Sequence, residues 1–197
     1  MVRLQHPQQL NHTGSLLVAL PTLLDPNFRR TILFLTHHDP KEGAMGFVLN
    51  RPREELLGEL TEAPEGLSRV AVFQGGPVER QNLILTSLLW KEGGVRFQSL
   101  GEEDFAPKGP ENAHNQDDRS EHSEESLRAF TGYAGWSAGQ LEQEIAEKSW
   151  HLLKPTAATL LPVTTPEEGV RRWKAIMKGL GPWYHLLAQT PDDPRMN

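Results

Sequence analysis

Apolar positions in this chain fall mostly into short blocks of strand length separated by turn-forming residues, and sustained helical spacing enters only toward the C-terminus. Gly14 to Leu20 is a compact apolar run ended by Pro21, and Thr31 to Thr36 is β-branched and apolar, which predicts buried strands. Between them Leu24-Asp25-Pro26-Asn27-Phe28 predicts a turn, because Asp before Pro favours turn initiation. Asp39 to Gly43 supplies the next loop and Gly46 to Leu49 another strand at hairpin distance. Asn50-Arg51-Pro52 ends that strand, with Pro52 holding Arg51 extended. Leu56, Leu57 and Leu60 recur at helical spacing and predict a short helix.

Val70 to Phe73, Leu83 to Leu89 and Val95 to Leu100 read as further strands, with Gln74-Gly75-Gly76-Pro77 as the turn after the first. Because strands follow one another without long helices between them, we expect an α+β fold: a mostly antiparallel sheet or partly closed barrel with flanking helices. It forms one compact domain over residues 14–197 after a polar segment at 1–13. From about Ala106 to Ser126 apolar side chains nearly vanish, which predicts a mobile insertion that cannot offset its ordering entropy. Leu127 to Gly135 predicts a strand leading into a helix opened by Ser137. Gln140 stands three residues on in a capping-box pattern, and Leu141 and Ile145 lie on one face. Lys154 to Val163, bounded by Pro155 and Pro162, reads as a final strand. Thr165-Pro166-Glu167-Glu168 then opens the last helix, with Val170, Trp173, Met177 and Leu180 as its core stripe and Gly179 or Gly181 as its stop.

Composition narrows the function classes. No apolar run approaches the roughly 20 residues of a membrane span. There is no cysteine, so disulfides, thiolate zinc sites and cysteine nucleophiles are excluded. Met1 to Thr13 is polar and lacks the apolar core of a secretory signal, so the expected compartment is the cytoplasm. A net charge of −6 argues against a generic nucleic-acid binder. The densest basic cluster, Arg171, Arg172, Lys174 and Lys178, reads as an exposed helix face.

Candidate chemistry concentrates at strand ends. Gly135-Trp136-Ser137-Ala138-Gly139 matches G-x-S-x-G in a strand-to-helix context, with Glu167 or Glu168 and His151 or His185 following in the order of a hydrolase triad. A capping role for Ser137 competes with that reading, and the chain lacks the βαβ rhythm of such hydrolases. Gly75-Gly76-Pro77 fits a tight turn or an anion-cradling concavity. His37-His38-Asp39 is a polar strand end that offers a general base or one or two ligands. Arg29, Arg30 and Arg51 flank buried strands and suit ion pairs or a phosphate. His114 and His122 sit among carboxylates at no recognised metal spacing, so no metal and no cofactor is expected.

Gly14 to Pro21, Asp25 to Thr31, Gly46 to Pro52, Gln74 to Val78 and Gly132 to Glu142, in that order, resemble the YqgE/AlgH family of bacterial proteins, as does the tail from Leu180 to Asn197. The stretch at about 106–126 departs from the pattern by being longer and more polar. The resemblance implies a compact α+β fold and a bacterial cytoplasmic protein without an established biochemical activity. Some members carry a transcriptional-regulator label, although no basic recognition helix stands in this sequence. It also implies a small residue, commonly glycine, at the position of Ser137, which an obligatory nucleophile would not tolerate.

The expectation is a non-enzymatic regulatory domain that binds a small polar ligand or a protein partner, without nucleic acid or membrane, where the motif loops converge. Asn50 and Arg51 would contact the ligand, Gly75, Gly76 and Gly139 would supply backbone donors, Trp136 an aromatic wall, and Gln140 would complete the site. The alternative is an ester or thioester hydrolase that uses Ser137. If Ser137 is a cap, its removal should cost roughly 1 kcal/mol.

Overall fold

Strand β1 (Leu16–Ala19) has no exposed face, because all its side chains are buried. That explains why its sequence is continuously apolar and does not alternate. The structure, a computed structural model, describes residues 11–63, 66–91, 94–101 and 127–190. The expected insertion at 106–126 lies outside these residues.

After β1 come β2 (Ile32–Asp39), β3 (Gly43–Val48), β4 (Pro52–Leu56), α1 (Leu57–Leu60), β5 (Ala71–Gln74), β6 (Val78–Lys91) and β7 (Gly94–Leu100). Then follow β8 (Leu127–Trp136), α2 (Gln140–Ala146), β9 (Trp150–Leu153), α3 (Ala157–Leu160), α4 (Pro166–Gly179) and α5 (Pro182–Leu187). The strands join one nine-stranded sheet in the order β4-β5-β8-β3-β2-β1-β9, with β6 paired to β8 and β7 at its far side. Strand β8 is the pivot. Its C-terminal end pairs with β3 through Ala134, Gly135 and Trp136, while Ala129 to Thr131 lie between β5 and β6. Serving two sets of neighbours curls the sheet into a half-barrel, in keeping with the expected α+β fold with a mostly antiparallel, partly closed sheet. Only the β5–β8 pair is parallel among these pairings.

Each face has its own core. On one, Phe34, Phe47, Phe73 and Phe130 pack beneath Trp173 and Met177 of α4, and the Phe47 and Phe130 rings lie 4.7 Å apart. On the other, Leu33, Leu35, Trp136 and Trp150 pack beneath Leu141 of α2. A third cluster gathers Leu57, Leu67 and Val72 around α1.

Thr165 opens α4 as expected, its hydroxyl accepting from the Glu168 N–H at 3.2 Å, and the helix stops at Gly179, but it is not the last helix, because Pro182 starts α5 after Gly181. The region 154–163 differs from the expected strand. The strand is β9, which ends before Pro155, and the Thr156 hydroxyl accepts from the Thr159 N–H at 3.3 Å to start α3. Pro155 has no N–H for a ladder, so the two threonines decide the local structure as a helix start. Leu56 both closes β4 and stands as the N-cap of α1, the short helix expected from the leucine spacing.

Helix α4 touches the sheet through a glycine. A Cβ at Gly169 would lie 2.0 Å from the Asn50 carbonyl oxygen. Although alanine is the better helix former by ~1 kcal/mol, Gly169→Ala should destabilise the protein by about 1–3 kcal/mol through forced separation of α4 from the sheet. Urea unfolding checks the sign.

Candidate functional site

The Asp25-Pro26 turn forms as its sequence dictates. The Asp25 carboxylate accepts from the Asn27 N–H at 2.7 Å, and its carbonyl accepts from the Phe28 and Arg29 N–H groups at 3.0 and 2.7 Å. The turn divides its side chains between the two faces of the sheet. Phe28 packs on one face against Trp136 and Trp150, with ring centroids at 6.1 and 5.5 Å. Arg29 and Arg30 go to the other, lining a cleft of about 300 Å³ together with Asn50, Arg51, Gln74 and Val170.

Asn50 and Arg51, both expected at a site, do meet here, and both are engaged by the protein itself. The Asn50 Oδ1 accepts from the Ile32 N–H at 2.8 Å, and its Nδ2 donates to the Arg30 and Gly169 carbonyls at 2.9 and 3.1 Å. Arg51 donates from its Nη atoms to the carbonyls of Asn27, Pro26 and Arg29 at 2.7, 3.2 and 3.1 Å. Both are positioning residues that fix the turn carrying Arg29 and Arg30. Arg30 sits in left-handed backbone space at φ 58°, a conformation stored where surrounding structure enforces it. Its Nη2 donates to the Thr190 carbonyl at 2.6 Å, and its guanidinium lies 5.8 Å from the centre of the Trp173 ring.

Positive charge is concentrated in this cleft although the chain carries −6 overall. Burial pushes the Arg51 guanidinium below its ordinary pKa, followed by the nearby Arg29 charge; Asp25 opposes the shift and Arg80 adds to it. Arg80 in turn donates to the Asn27 side chain at 2.5 Å.

The remaining expected residues are not brought to this cleft. Gly75 and Gly76 press against β8: a Cβ on either would lie 2.2 Å from the backbone at Gly132 or Tyr133. The Gly75 N–H donates to the Thr131 carbonyl at 3.0 Å, so close backbone approach accounts for this glycine pair. Trp136 is buried, and its indole N–H donates to Glu144 at 2.8 Å, a carboxylate that also accepts from Trp150 at 2.7 Å. Gly139 is the left-handed N-cap of α2 at φ 74°, and Gln140 donates to Glu144 at 2.9 Å.

Ser137 does not cap with its hydroxyl. Its backbone N–H donates to the Gln140 Oε1 at 3.0 Å, the reciprocal half of a capping box, but the helix begins later and Gly139 takes the N-cap position. Nor does a triad assemble around it. Ser137 leads into α2 over the tryptophan face, whereas Glu167, Glu168 and His185 belong to the helices α4 and α5 over the phenylalanine face. His151 alternates with Trp150 and so points away from the tryptophan face. Glu168 is already committed, accepting from the Thr164 N–H and hydroxyl at 2.8 and 3.0 Å.

The AlgH-like family model matches residues 16–185. This chain belongs to that family. A UPF0301 protein from Thermobifida fusca is 36% identical over 98% of each chain, and one from Streptomyces avermitilis is 34% identical over 94% of this chain and 95% of its own. Among solved structures, the AlgH protein from Pseudomonas aeruginosa matches with TM-score 0.60 and 27% identity over 95% of this chain and 98% of its own. A Corynebacterium diphtheriae protein at 18% identity and TM-score 0.58, covering 96% and 95%, shares the fold.

The burial of two polar residues of this AlgH-like chain, His38 and Arg128, is not legible in its sequence. A β-bulge after Leu35 shifts β2 by one residue, so that His38 and not His37 turns inward. The His38 Nδ1 accepts from the His12 N–H at 3.0 Å, which assigns the proton to Nε2, 2.8 Å from Glu142. Burial, then His38, pushes the His12 imidazole below its ordinary pKa, and Glu142 opposes the shift. Arg128 of β8 is buried beneath α3 and donates to the Leu160 carbonyl, while its Nε and Nη1 have no partner among the described residues. Burial, then Arg172, pushes its pKa down to about 10. Among the described residues no three His, Asp or Glu groups converge as metal ligands, and no helix is long and apolar enough to cross a membrane.

Because the Ser137 hydroxyl caps nothing, Ser137→Ala should change stability by less than about 0.5 kcal/mol. Asn50→Ala, which strands the buried Ile32 N–H, should lower it by at least about 1–3 kcal/mol. Chemical denaturation of both variants tests this contrast.

Proposed function

We propose that this AlgH-like chain is a non-enzymatic regulatory domain that binds a small anionic ligand in the cleft between the Asp25–Arg30 turn and α4. The observation that carries this reading is the convergence of Arg29, Arg30 and Arg51 on one cleft of about 300 Å³ in an acidic chain. Three guanidinium groups lining one cleft favour a carboxylate or phosphate there. Arg29 and Arg30 are the contact residues, while Asn50 and Arg51 hold the turn and Gln74 lines the wall.

Regulation through direct duplex binding is not part of this reading. Arg172, in the densest basic stretch, donates to the Leu161 carbonyl and lies 3.5 Å from Glu168, so part of that stretch serves the packing of α4.

Arg29 is exposed, so its replacement leaves the core untouched. Titration with inorganic phosphate, followed by amide chemical shifts, should perturb Arg29, Arg30 and Gln74. In Arg29→Gln the affinity should fall by about tenfold, the scale of one lost charge-assisted hydrogen bond, and in the native chain it should fall with added salt. Saturation with phosphate that leaves these amides unmoved would refute the reading.

A further inference from the structure

A second cleft, about 600 Å³ in volume, adjoins the first, and Arg29 and Arg30 line both. Its volume lies within the range of small-molecule sites. Beyond the arginines the walls are mostly apolar: Leu20, Leu23, Leu24 and Leu187 line it with the buried Trp173, and Thr22 and Thr190 are the polar exceptions. The Trp173 ring is fixed in place by its indole N–H, which donates to the Ala19 carbonyl at 2.7 Å. Leu24 is 78% exposed, so a large apolar side chain stands at the cleft without a cover of its own. Cations therefore stand where an apolar cavity meets a polar one.

We propose that the ligand is a free amphiphilic anion, of the medium-chain carboxylate class, with its head at Arg29 and Arg30 and its unbranched tail along Leu23, Leu24 and Leu187. This rests on the anion-binding reading and adds the tail. A compact anion makes no use of the apolar walls, and a neutral lipid makes no use of the arginines. Charge complementarity at one end and apolar burial at the other select a molecule that has both.

The test compares decanoate, acetate, decanol and inorganic phosphate by calorimetry and amide shifts on the full chain, with decanoate kept below micelle formation. Each fully buried methylene is worth roughly fourfold in affinity, so decanoate should bind at least about 100-fold more tightly than acetate, and more tightly than decanol. Leu24→Gln should weaken decanoate several-fold and leave phosphate unchanged, whereas Arg29→Gln should weaken both anions. Decanoate binding no tighter than acetate, with phosphate still bound at the arginines, overturns the tail and leaves the anion reading standing. Failure of both anions overturns both. Two other results also overturn the proposal: binding to phosphatidylglycerol vesicles without binding of free decanoate, and a self-associated species dissolved by Leu24→Gln, which would give the cleft to a second copy.

Discussion

The buried side-chain amide of Asn50 joins two segments of backbone that lie far apart in the chain, the entry to β2 and helix α4. It accepts from Ile32 at the start of β2 and donates to Arg30 before that strand and to Gly169 in α4. A buried amide is favourable only when its donors and acceptor are all met, so these partners are held at one geometry. Gly169 is the steric counterpart, because only a residue without Cβ lets α4 come close enough for its carbonyl to receive that bond.

Much of the cleft's electrostatics follows from this joint. Once Arg30 is tied to Asn50, the turn from Asp25 has its end fixed, and Arg51 secures its middle through the carbonyls of Pro26, Asn27 and Arg29. Cationic side chains are thus collected at one place although their mutual repulsion disfavours it, and the left-handed backbone of Arg30 adds strain. Phe28, on the same turn, anchors into the tryptophan cluster on the opposite face. The arginine cleft is therefore coupled to the far side of the sheet through rigid packing and not through a loose loop.

Strands were legible where apolar runs were bounded by turn residues: β1, β2, β5 and β7 lie close to the blocks marked by Pro21, Asp39 and Gln74. Helix α4 was legible because Thr165 and Glu168 announce its start chemically. The site was legible in part. Asn50 and Arg51, the ligand contacts expected from sequence, stand in the cleft, but as braces for Arg29 and Arg30, whose pattern suits either ion pairs or a phosphate. Gly75, Gly76, Trp136 and Gln140 looked functional because glycines and aromatics at strand ends signal either ligand approach or tight packing, and local sequence does not separate the two.

By itself the sequence determined the order of short apolar strands, the Asp25 turn, the Thr165 helix start and an acidic chain without cysteine. These depend on interactions between residues within a few positions of one another. Tertiary structure alone decided that β8 serves two sets of neighbours, that a bulge turns His38 inward, and that Asn50 meets Gly169 across 119 positions. It also decided that Arg29 and Arg30 stand where an apolar cleft meets a polar one. Such contacts arise only when distant segments fill one volume, and no local pattern encodes that distance.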